Sequence, residues 1–180
     1  MIAPDLDCGN DLMLINPNVD RDAPIATKWM QGSVGQQTQR SMGIPPQDIH
    51  EHTLAESRDL FEDFISTQDE IVWTIQYKGK IGGVIEVGMN RNIAPEEQSP
   101  SLSIMIGDVS LRGKGVGSRA MRRVIEYLFA EGYPEVNARY LIDNDASRAM
   151  NKSVGMQETG RSYVDEDGLE WQNVRVQAID

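Results

Sequence analysis

A run of alternating glycines joins two segments of different periodicity, and this junction constrains the fold more than any other feature of the chain. The segment before it alternates apolar and polar residues at Leu102, Ile104 and Ile106, as a strand does. The run itself reads Arg112-Gly113-Lys114-Gly115-Val116-Gly117-Ser118. Apolar residues then recur at helical spacing, at positions Val116, Ala120, Met121, Val124, Ile125, Leu128 and Phe129. A strand that leads through glycines into a helix predicts a sheet with helices packed on it.

The same two periodicities recur along the rest of the chain. Short apolar or alternating segments predict further strands at residues 11–15, 71–77, 81–87, 136–142, 159–163 and 171–178. Helices are predicted to begin at Asp20 or Asp22, near Thr53, and at Asn144 or Asp145, whereas residues 31–50 are expected to form a loop or one weak helix near residues 34–42. The order predicts an α/β fold of the α+β kind, in which a mixed, mostly antiparallel sheet of six to seven strands carries helices on both faces. Residues 11–180 are expected to form a single domain after a flexible terminus over residues 1–10.

The charge balance bears on the choice of partner. The chain of 180 residues has 17 Lys and Arg against 28 Asp and Glu, which gives a formal net charge of -11. This charge opposes nonspecific binding to nucleic acid and attracts cations, although acidity is also common for solubility alone.

No apolar run approaches the roughly 18 residues that span a bilayer, and no signal pattern is present, so we expect a cytoplasmic protein that does not contact a membrane. Cys8 is the only cysteine, so no intrachain disulfide can form.

The glycine run has the character of a phosphate-binding loop. Glycines let an anion approach the backbone closely, and the first N–H groups of a helix lack internal partners and lie at its positive end. Arg112 and Lys114 add positive charge in an otherwise acidic chain. The spacing fits neither a P-loop, which ends in Gly-Lys-Ser/Thr after four spacer residues, nor a dinucleotide fingerprint, which requires G-x-G-x-x-G. The alternative is a glycine turn that only lets the strand pack against its helix.

The run closely resembles the acetyl-coenzyme A loop of the GNAT superfamily of N-acetyltransferases, Arg/Gln-x-x-Gly-x-Gly/Ala, with Arg112, Gly115 and Gly117 at its defined positions. A second segment, from Asn144-Asp145-Ala146-Ser147 to Gly155-Met156, is similar to the family's signature Asn-x-x-Ser/Ala ending in Gly-Phe. The order of predicted elements resembles the family over nearly the whole chain, from residue 11 to residue 178. The second segment is most similar to the branch that acetylates the N-termini of ribosomal proteins.

This resemblance implies a fold and a cofactor. Two central strands would splay apart and admit the pantetheine arm of acetyl-coenzyme A, the co-substrate, and no metal would be needed. Backbone groups of Met105, Ile106 and Gly107 would bind pantetheine, and Asn144 would hold the arm. Arg112 and the main-chain N–H groups of the glycine run would bind pyrophosphate, the latter at Gly113, Lys114, Gly115, Val116, Gly117 and Ser118. The acceptor would be an amine of a small molecule or of a peptide N-terminus, and the protein would be a monomer or a homodimer.

The resemblance also implies direct attack of a neutral amine on the thioester. Many relatives place a tyrosine seven residues after the signature asparagine, as the acid that protonates sulfur, but this chain has Asn151 there, which cannot fill that role. Ser147 is the predicted substitute. Glu86 is the first candidate for the base that deprotonates the amine, and Asp108 is the second. Because of Asn151, the alternative is a noncatalytic acyl-coenzyme A-binding domain of the same fold.

The two histidines form the sequence His50-Glu51-His52 and could suggest a metal site. A third ligand at a recognisable spacing is missing from the sequence around them. They are therefore interpreted as polar residues of an exposed loop, and no metal is predicted.

Overall fold

The part of the chain that the structure describes contains one sheet, with a single parallel pair of strands near its centre. The computed structural model describes residues 3–89 and 94–179. Within these residues the strands are β1 (Leu6–Asp7), β2 (Leu12–Ile15), β3 (Glu70–Tyr77), β4 (Lys80–Gly88), β5 (Ser101–Ile106), β6 (Glu135–Leu141), β7 (Gln157–Val164) and β8 (Glu170–Gln177). Their spatial order is β1-β2-β3-β4-β5-β6-β8-β7. Of the neighbouring pairs in this order, β5 and β6 are parallel and the others are antiparallel. The predicted mixed, mostly antiparallel sheet is confirmed.

Five helices connect these strands in the described residues: α1 (Val19–Trp29), α2 (Gly32–Ser41), α3 (Leu54–Ser66), α4 (Val116–Ala130) and α5 (Asp145–Ser153). The start of α3 at Thr53 is confirmed by a capping box, in which the Thr53 hydroxyl accepts from the N–H of Glu56 and the Glu56 carboxylate accepts from the N–H of Thr53. The cap of α1 is Asn18 rather than Asp20 or Asp22, because its side-chain oxygen accepts from the N–H of Arg21.

The helices pack on opposite faces of the sheet, as the alternation of its strands requires. On one face, α1 and α3 bury Ala23, Ala26 and Phe61 against Val72 and Val84. On the other face, the apolar stripe of α4 packs on a larger cluster that includes Trp73, Ile75, Ile85, Val87, Leu102 and Val136. Burial of these two apolar surfaces on either side of one sheet is the main source of stability.

A buried carboxylate fixes α1 to the sheet. Asp22 is fully buried, and its Oδ2 accepts from the hydroxyl of Thr74 on β3 at 2.7 Å and from the N–H of Asn18 at 2.9 Å. Arg21 forms an ion pair with the same carboxylate. A buried charge is tolerated only when it is paired and hydrogen-bonded, and these contacts satisfy that condition. The position of α1 matters for the site because Trp29, at its end, covers Gly107.

The central parallel pair is joined at one point and then separates. Ser101 and Asn137 are the registered pair between β5 and β6, and the N–H of Asn137 donates to the C=O of Pro100 at 2.8 Å. Beyond this point β5 stays paired with β4 as far as Ile106, and β6 stays paired with β8 as far as Leu141. A gap therefore opens between the two strands toward their C-terminal ends, which confirms the predicted splayed pair.

The expectation of a flexible terminus over residues 1–10 differs from the described structure at residues 3–10. Leu6 is 3% exposed and pairs with Leu14, and the indole N–H of Trp73 donates to the C=O of Pro4 at 2.9 Å. This segment adds β1 to the sheet, so the described sheet has eight strands where six to seven were predicted.

Half-burial of the Cys8 thiol raises its pKa to about 11, so the thiol stays protonated and unreactive at neutral pH.

Candidate functional site

A cavity of about 650 Å³ lies at the gap between β5 and β6. One end reaches β6 and α5, and the other extends between the ends of α1 and α2, the loop before α3, and α3 itself. Its lining includes Met30, His50, His52, Ser57, Phe61, Phe64, Glu70, Glu86, Ser103, Met105, Arg139, Tyr140, Ser147, Met150 and Asn151. The cavity thus brings together Glu86, Met105 and Ser147, which the sequence assigned to one site.

The glycine run presents open backbone at the start of α4. Gly113 and Gly115 have φ values of 71° and 72°, in the left-handed region that favours glycine, and a Cβ at either position would meet no atom within 4 Å. The first internal hydrogen bond of α4 runs from the N–H of Arg119 to the C=O of Gly115. Among the described residues, the N–H groups of Val116, Gly117 and Ser118 have no acceptor. Together with the exposed side chain of Lys114, they form a site suited to an anion.

Gly117 has a different role from the two glycines before it. A Cβ on Gly117 would lie 2.6 Å from the sulfur of Met150 and 3.6 Å from Cγ1 of Ile106. Its lack of a side chain therefore lets α4 approach both β5 and α5 closely. The packing explanation for the glycine run holds at Gly117, while Gly113 and Gly115 lie in open space.

Arg112 makes two hydrogen bonds that brace the end of β5. Its Nε donates to the C=O of Ile106 at 2.9 Å, and its Nη2 donates to the hydroxyl of Thr38 at 2.8 Å. Partial burial lowers the pKa of this guanidinium. The two contacts tie the end of β5 to α2 and hold the C=O of Ile106, one of the backbone groups predicted to bind pantetheine.

We expect Arg112→Lys to destabilise the fold, because a single ammonium cannot replace two donors of a planar guanidinium that point at separate acceptors. Loss of one charge-assisted hydrogen bond costs about 1.5 kcal/mol, or about 3 to 6 °C in Tm for a chain of this size. Arg148→Lys is the matched control, because Arg148 is exposed and lies 3.7 Å from an exposed Glu158. Thermal unfolding of both variants measures the difference, and equal Tm values would contradict the bracing role.

The start of α5 holds the second predicted group of residues. Asn144 caps the helix, since its Oδ1 accepts from the N–H of Ser147 at 3.0 Å, and its amide donates to the C=O of Ser41 at 3.2 Å. Ser147 lines the cavity one turn before Asn151, which is 3% exposed. The amide of Asn151 donates to the C=O of Ser147 at 2.9 Å, and its nitrogen lies 3.4 Å from the Ser147 hydroxyl oxygen.

Two carboxylates lie on the opposite wall of the cavity. The hydroxyl of Ser103 donates to Oε1 of Glu86 at 2.6 Å across the β4–β5 pair. Glu70 lies diagonally from Glu86 on the same face of the sheet, because Glu86 is opposite Val72 and Glu70 is opposite Gly88. Burial, followed by the neighbouring charge of Glu86, raises the pKa of Glu70. This wall is therefore suited to binding a cation. Asp108, the second candidate base, instead caps a 3-10 turn by accepting from the N–H of Ser110.

The histidines lie in the loop before α3, and His50 is exposed there as the sequence predicted, but both also line the cavity. His50 lies with Nδ1 2.7 Å from the C=O of Asp48 and Nε2 3.0 Å from Glu56, and these contacts raise its pKa. Its ring stacks on that of His52 with centroids 5.2 Å apart. Burial, followed by the nearby His50, lowers the pKa of His52, so His52 is neutral at pH 7. In the described residues no cluster of three or more His, Cys, Asp or Glu could hold a metal.

Two buried polar atoms on the cavity wall have no hydrogen-bond partner among the described residues: Oγ of Ser57 and Oδ1 of Asn151. Ser57 lies beside Phe61 on the buried face of α3, at the end of the cavity away from α5. The sequence did not point to Ser57 as part of the site. It pointed to Asn151 only as the position where many relatives carry an acid. The burial of Ser57 depends on the packing of α3 against α1, which no local pattern shows.

The comparisons with known proteins agree with this geometry. A family model described as "Acetyltransferase (GNAT) domain" matches residues 12–157. No match is found among curated proteins. Within residues 3–89 and 94–179, none of the helices has the length and apolar character needed to cross a membrane.

Several solved structures share the fold at low sequence identity. RimL, a ribosomal L7/L12 alpha-N-protein acetyltransferase in complex with coenzyme A, has a TM-score of 0.78 and 16% identity, with 97% of this chain and 98% of that chain covered. Spermidine N-acetyltransferase from Vibrio cholerae, in complex with coenzyme A and spermine, has a TM-score of 0.73 and 14% identity, with coverages of 94% and 96%. The self-immunity acetyltransferase MccE, in complex with acetyl-coenzyme A and AMP, has a TM-score of 0.74 and 18% identity, with coverages of 95% and 94%.

Proposed function

Since the chain belongs to the GNAT acetyltransferase family, we propose that it transfers the acetyl group of acetyl-coenzyme A to a primary amine. One observation carries this proposal: a single cavity at the splayed strands connects the serine of α5 with a pair of carboxylates. The open amides at the start of α4 lie next to this cavity, because Gly117 packs against Met150 of its lining. An anion site, a hydroxyl and a carboxylate wall along one path suit a phosphorylated acyl donor and a cationic acceptor.

The residues present fit the donor. In the proposal, the N–H groups of the glycine run and the ammonium of Lys114 bind pyrophosphate, and the backbone of Met105, Ile106 and Gly107 borders the pantetheine arm. The indole of Trp29 covers Gly107, where a Cβ would lie 2.1 Å from a ring atom, so only glycine permits this approach. Acetyl-coenzyme A supplies the activated acetyl group. Asn144 supports the arm indirectly, because its side chain already holds the start of α5 and the end of α2.

The acceptor is proposed to be a cationic amine that enters from the side of α1 and α3. Glu70 and Glu86 attract its ammonium, and Glu86 accepts a proton from it before attack. The structural relatives include one enzyme that acts on a protein N-terminus and one named for spermidine, and both acceptors carry amines. The carboxylate pair favours the more strongly cationic acceptor, and the unpartnered hydroxyl of Ser57 offers a hydrogen bond to another polar group of that acceptor.

We expect Ser147→Ala to lower kcat by about tenfold and to leave the affinity for coenzyme A unchanged. The effect is modest because a thiol with a pKa of about 8.5 leaves as thiolate without much need for an acid near neutral pH. Ser66→Ala is the control, since Ser66 is exposed at the end of α3 and donates to the C=O of Asp63. Steady-state rates and a coenzyme A titration measure the two quantities. Full activity of Ser147→Ala would remove serine from the mechanism.

The proposed function is tested by following thiol release from acetyl-coenzyme A with a panel of amines: polyamines, lysine derivatives and peptides with free N-termini. Turnover that depends on the amine, fastest with cationic acceptors, is the expected result. Binding of coenzyme A without turnover on any acceptor would favour the alternative, a noncatalytic acyl-coenzyme A-binding domain. That alternative is motivated by Asn151, which replaces the usual acid.

A further inference from the structure

The carboxamide of Asn151 is buried with only one of its two ends satisfied. Its nitrogen donates to the C=O of Ser147 at 2.9 Å, which fixes the orientation of the group. Its Oδ1 has no donor among the described residues, although the side chain is 3% exposed. A buried acceptor without a donor destabilises a protein, and native structures seldom retain one unless a bound molecule or an ion satisfies it. The unpaired atom can only accept, so its partner must be an N–H, O–H or S–H group.

The position of Asn151 indicates which ligand reaches it. Ser147 and Asn151 are four residues apart on α5, so they lie on one face about one helical turn, or 5.4 Å, apart. Met150, three residues after Ser147 and so on the same side of α5, packs against Gly117 at the start of α4. This face of α5 therefore runs from the proposed acyl site at Ser147 toward the proposed pyrophosphate site. Ser147, Met150 and Asn151 all line the cavity, so a chain that connects those two sites along this face passes Asn151.

We propose that Oδ1 of Asn151 accepts a hydrogen bond from the amide N–H of the pantetheine arm nearest to sulfur, and thereby positions the thioester beside Ser147. The assignment rests on the proposed function, because it requires coenzyme A in the gap between β5 and β6. In a coenzyme A thioester, two methylene groups separate the sulfur from this N–H, which is the first donor along the arm. This short separation matches the single helical turn between Ser147 and Asn151. Asn151 is then a positioning residue that replaces an acid, rather than a sign of lost catalysis.

The proposal is tested with a coenzyme A analogue in which the amide nearest to sulfur is an ester, so that oxygen replaces the N–H. Calorimetric titrations compare coenzyme A with this analogue for the wild-type protein and for Asn151→Leu. We expect the wild type to bind the analogue about tenfold more weakly, and Asn151→Leu to bind both ligands equally, with the weaker affinity. Asn173→Leu, at an exposed position on β8, should keep the tenfold discrimination. The Tm of ligand-free Asn151→Leu should not fall, because the substitution removes an unpaired acceptor.

Three results would overturn the assignment. Equal binding of the two ligands by the wild type would do so even if Asn151→Leu failed to fold. Equal discrimination by the wild type and Asn151→Leu would show that another group accepts from this N–H. A loss confined to coenzyme A, with acetyl-coenzyme A bound normally by Asn151→Leu, would show that Oδ1 accepts from the thiol instead. A wild type that binds none of these ligands would also overturn the proposed function, whereas the first three results leave it intact.

Discussion

Gly115→Glu is expected to weaken binding of coenzyme A by at least about 100-fold while the protein stays folded. Gly115 lies in open space at the start of α4, so a glutamate side chain would fit but would project where the open amides attract an anion. At about 4 Å, repulsion between a carboxylate and a phosphate charge near a protein surface amounts to about 4 kcal/mol, which exceeds the 2.8 kcal/mol that corresponds to 100-fold. Calorimetric titration with coenzyme A measures the loss.

The chain offers a closely matched control for this substitution. Gly79, in the turn between β3 and β4, has a φ of 74° against 72° for Gly115, and a Cβ there would also meet nothing within 4 Å. Gly79→Glu therefore carries the same backbone strain, roughly 1–2 kcal/mol, and the same added charge. Urea unfolding should show similar destabilisation of the two variants, and only Gly115→Glu should lose affinity. Equal affinities would show that the glycine loop does not bind the anionic part of the ligand.

The parts of the fold that could be predicted from sequence are those determined by local periodicity. The stripe of α4 and the alternation of β3 to β6 each repeat over several turns or residues, so the pattern identifies both the element and its buried face. Strand β1 could not be predicted in this way, because two residues are too few to show a period. Its ordered conformation depends on the pairing of Leu6 with Leu14 and on a hydrogen bond between Trp73 and Pro4, which are 69 residues apart.

The candidate site was predictable to a similar extent. The glycine run is a local arrangement, and the structure shows the open amides that its sequence predicted. Glu86 and Ser147 were assigned by resemblance, and both line the one cavity, while their chemical roles remain predictions. That the histidines also line the cavity could not be predicted, because their position depends on contacts of the loop before α3. Gln39 on α2 holds that loop by accepting from the N–H of His50 and donating to its C=O.

Glu86→Gln is expected to lower kcat/KM for an alkylamine acceptor by about 10² to 10³ at pH 7. An alkylamine with a pKa of about 10.4 is almost fully protonated at this pH, so a variant without the base depends on the small fraction of neutral amine. Glutamine keeps the shape of the side chain and can still accept from Ser103, so the change isolates the loss of the proton acceptor and its charge. Thiol release with one amine across a range of pH measures the effect.

The division of the effect between kcat and KM separates a base from a carboxylate that only attracts the cation. The neutral fraction of the amine rises tenfold for each pH unit below its pKa, so the rate of Glu86→Gln should rise with pH and approach that of the wild type near pH 10. If Glu86 only binds the ammonium, its loss should raise KM while the amine is charged and leave kcat at saturating amine unchanged, whereas loss of a base lowers kcat. Glu126→Gln, on the exposed face of α4, should match the wild type at every pH. A Glu86→Gln enzyme as active as this control would leave His52, which also lines the cavity and has a lowered pKa, as the next candidate base.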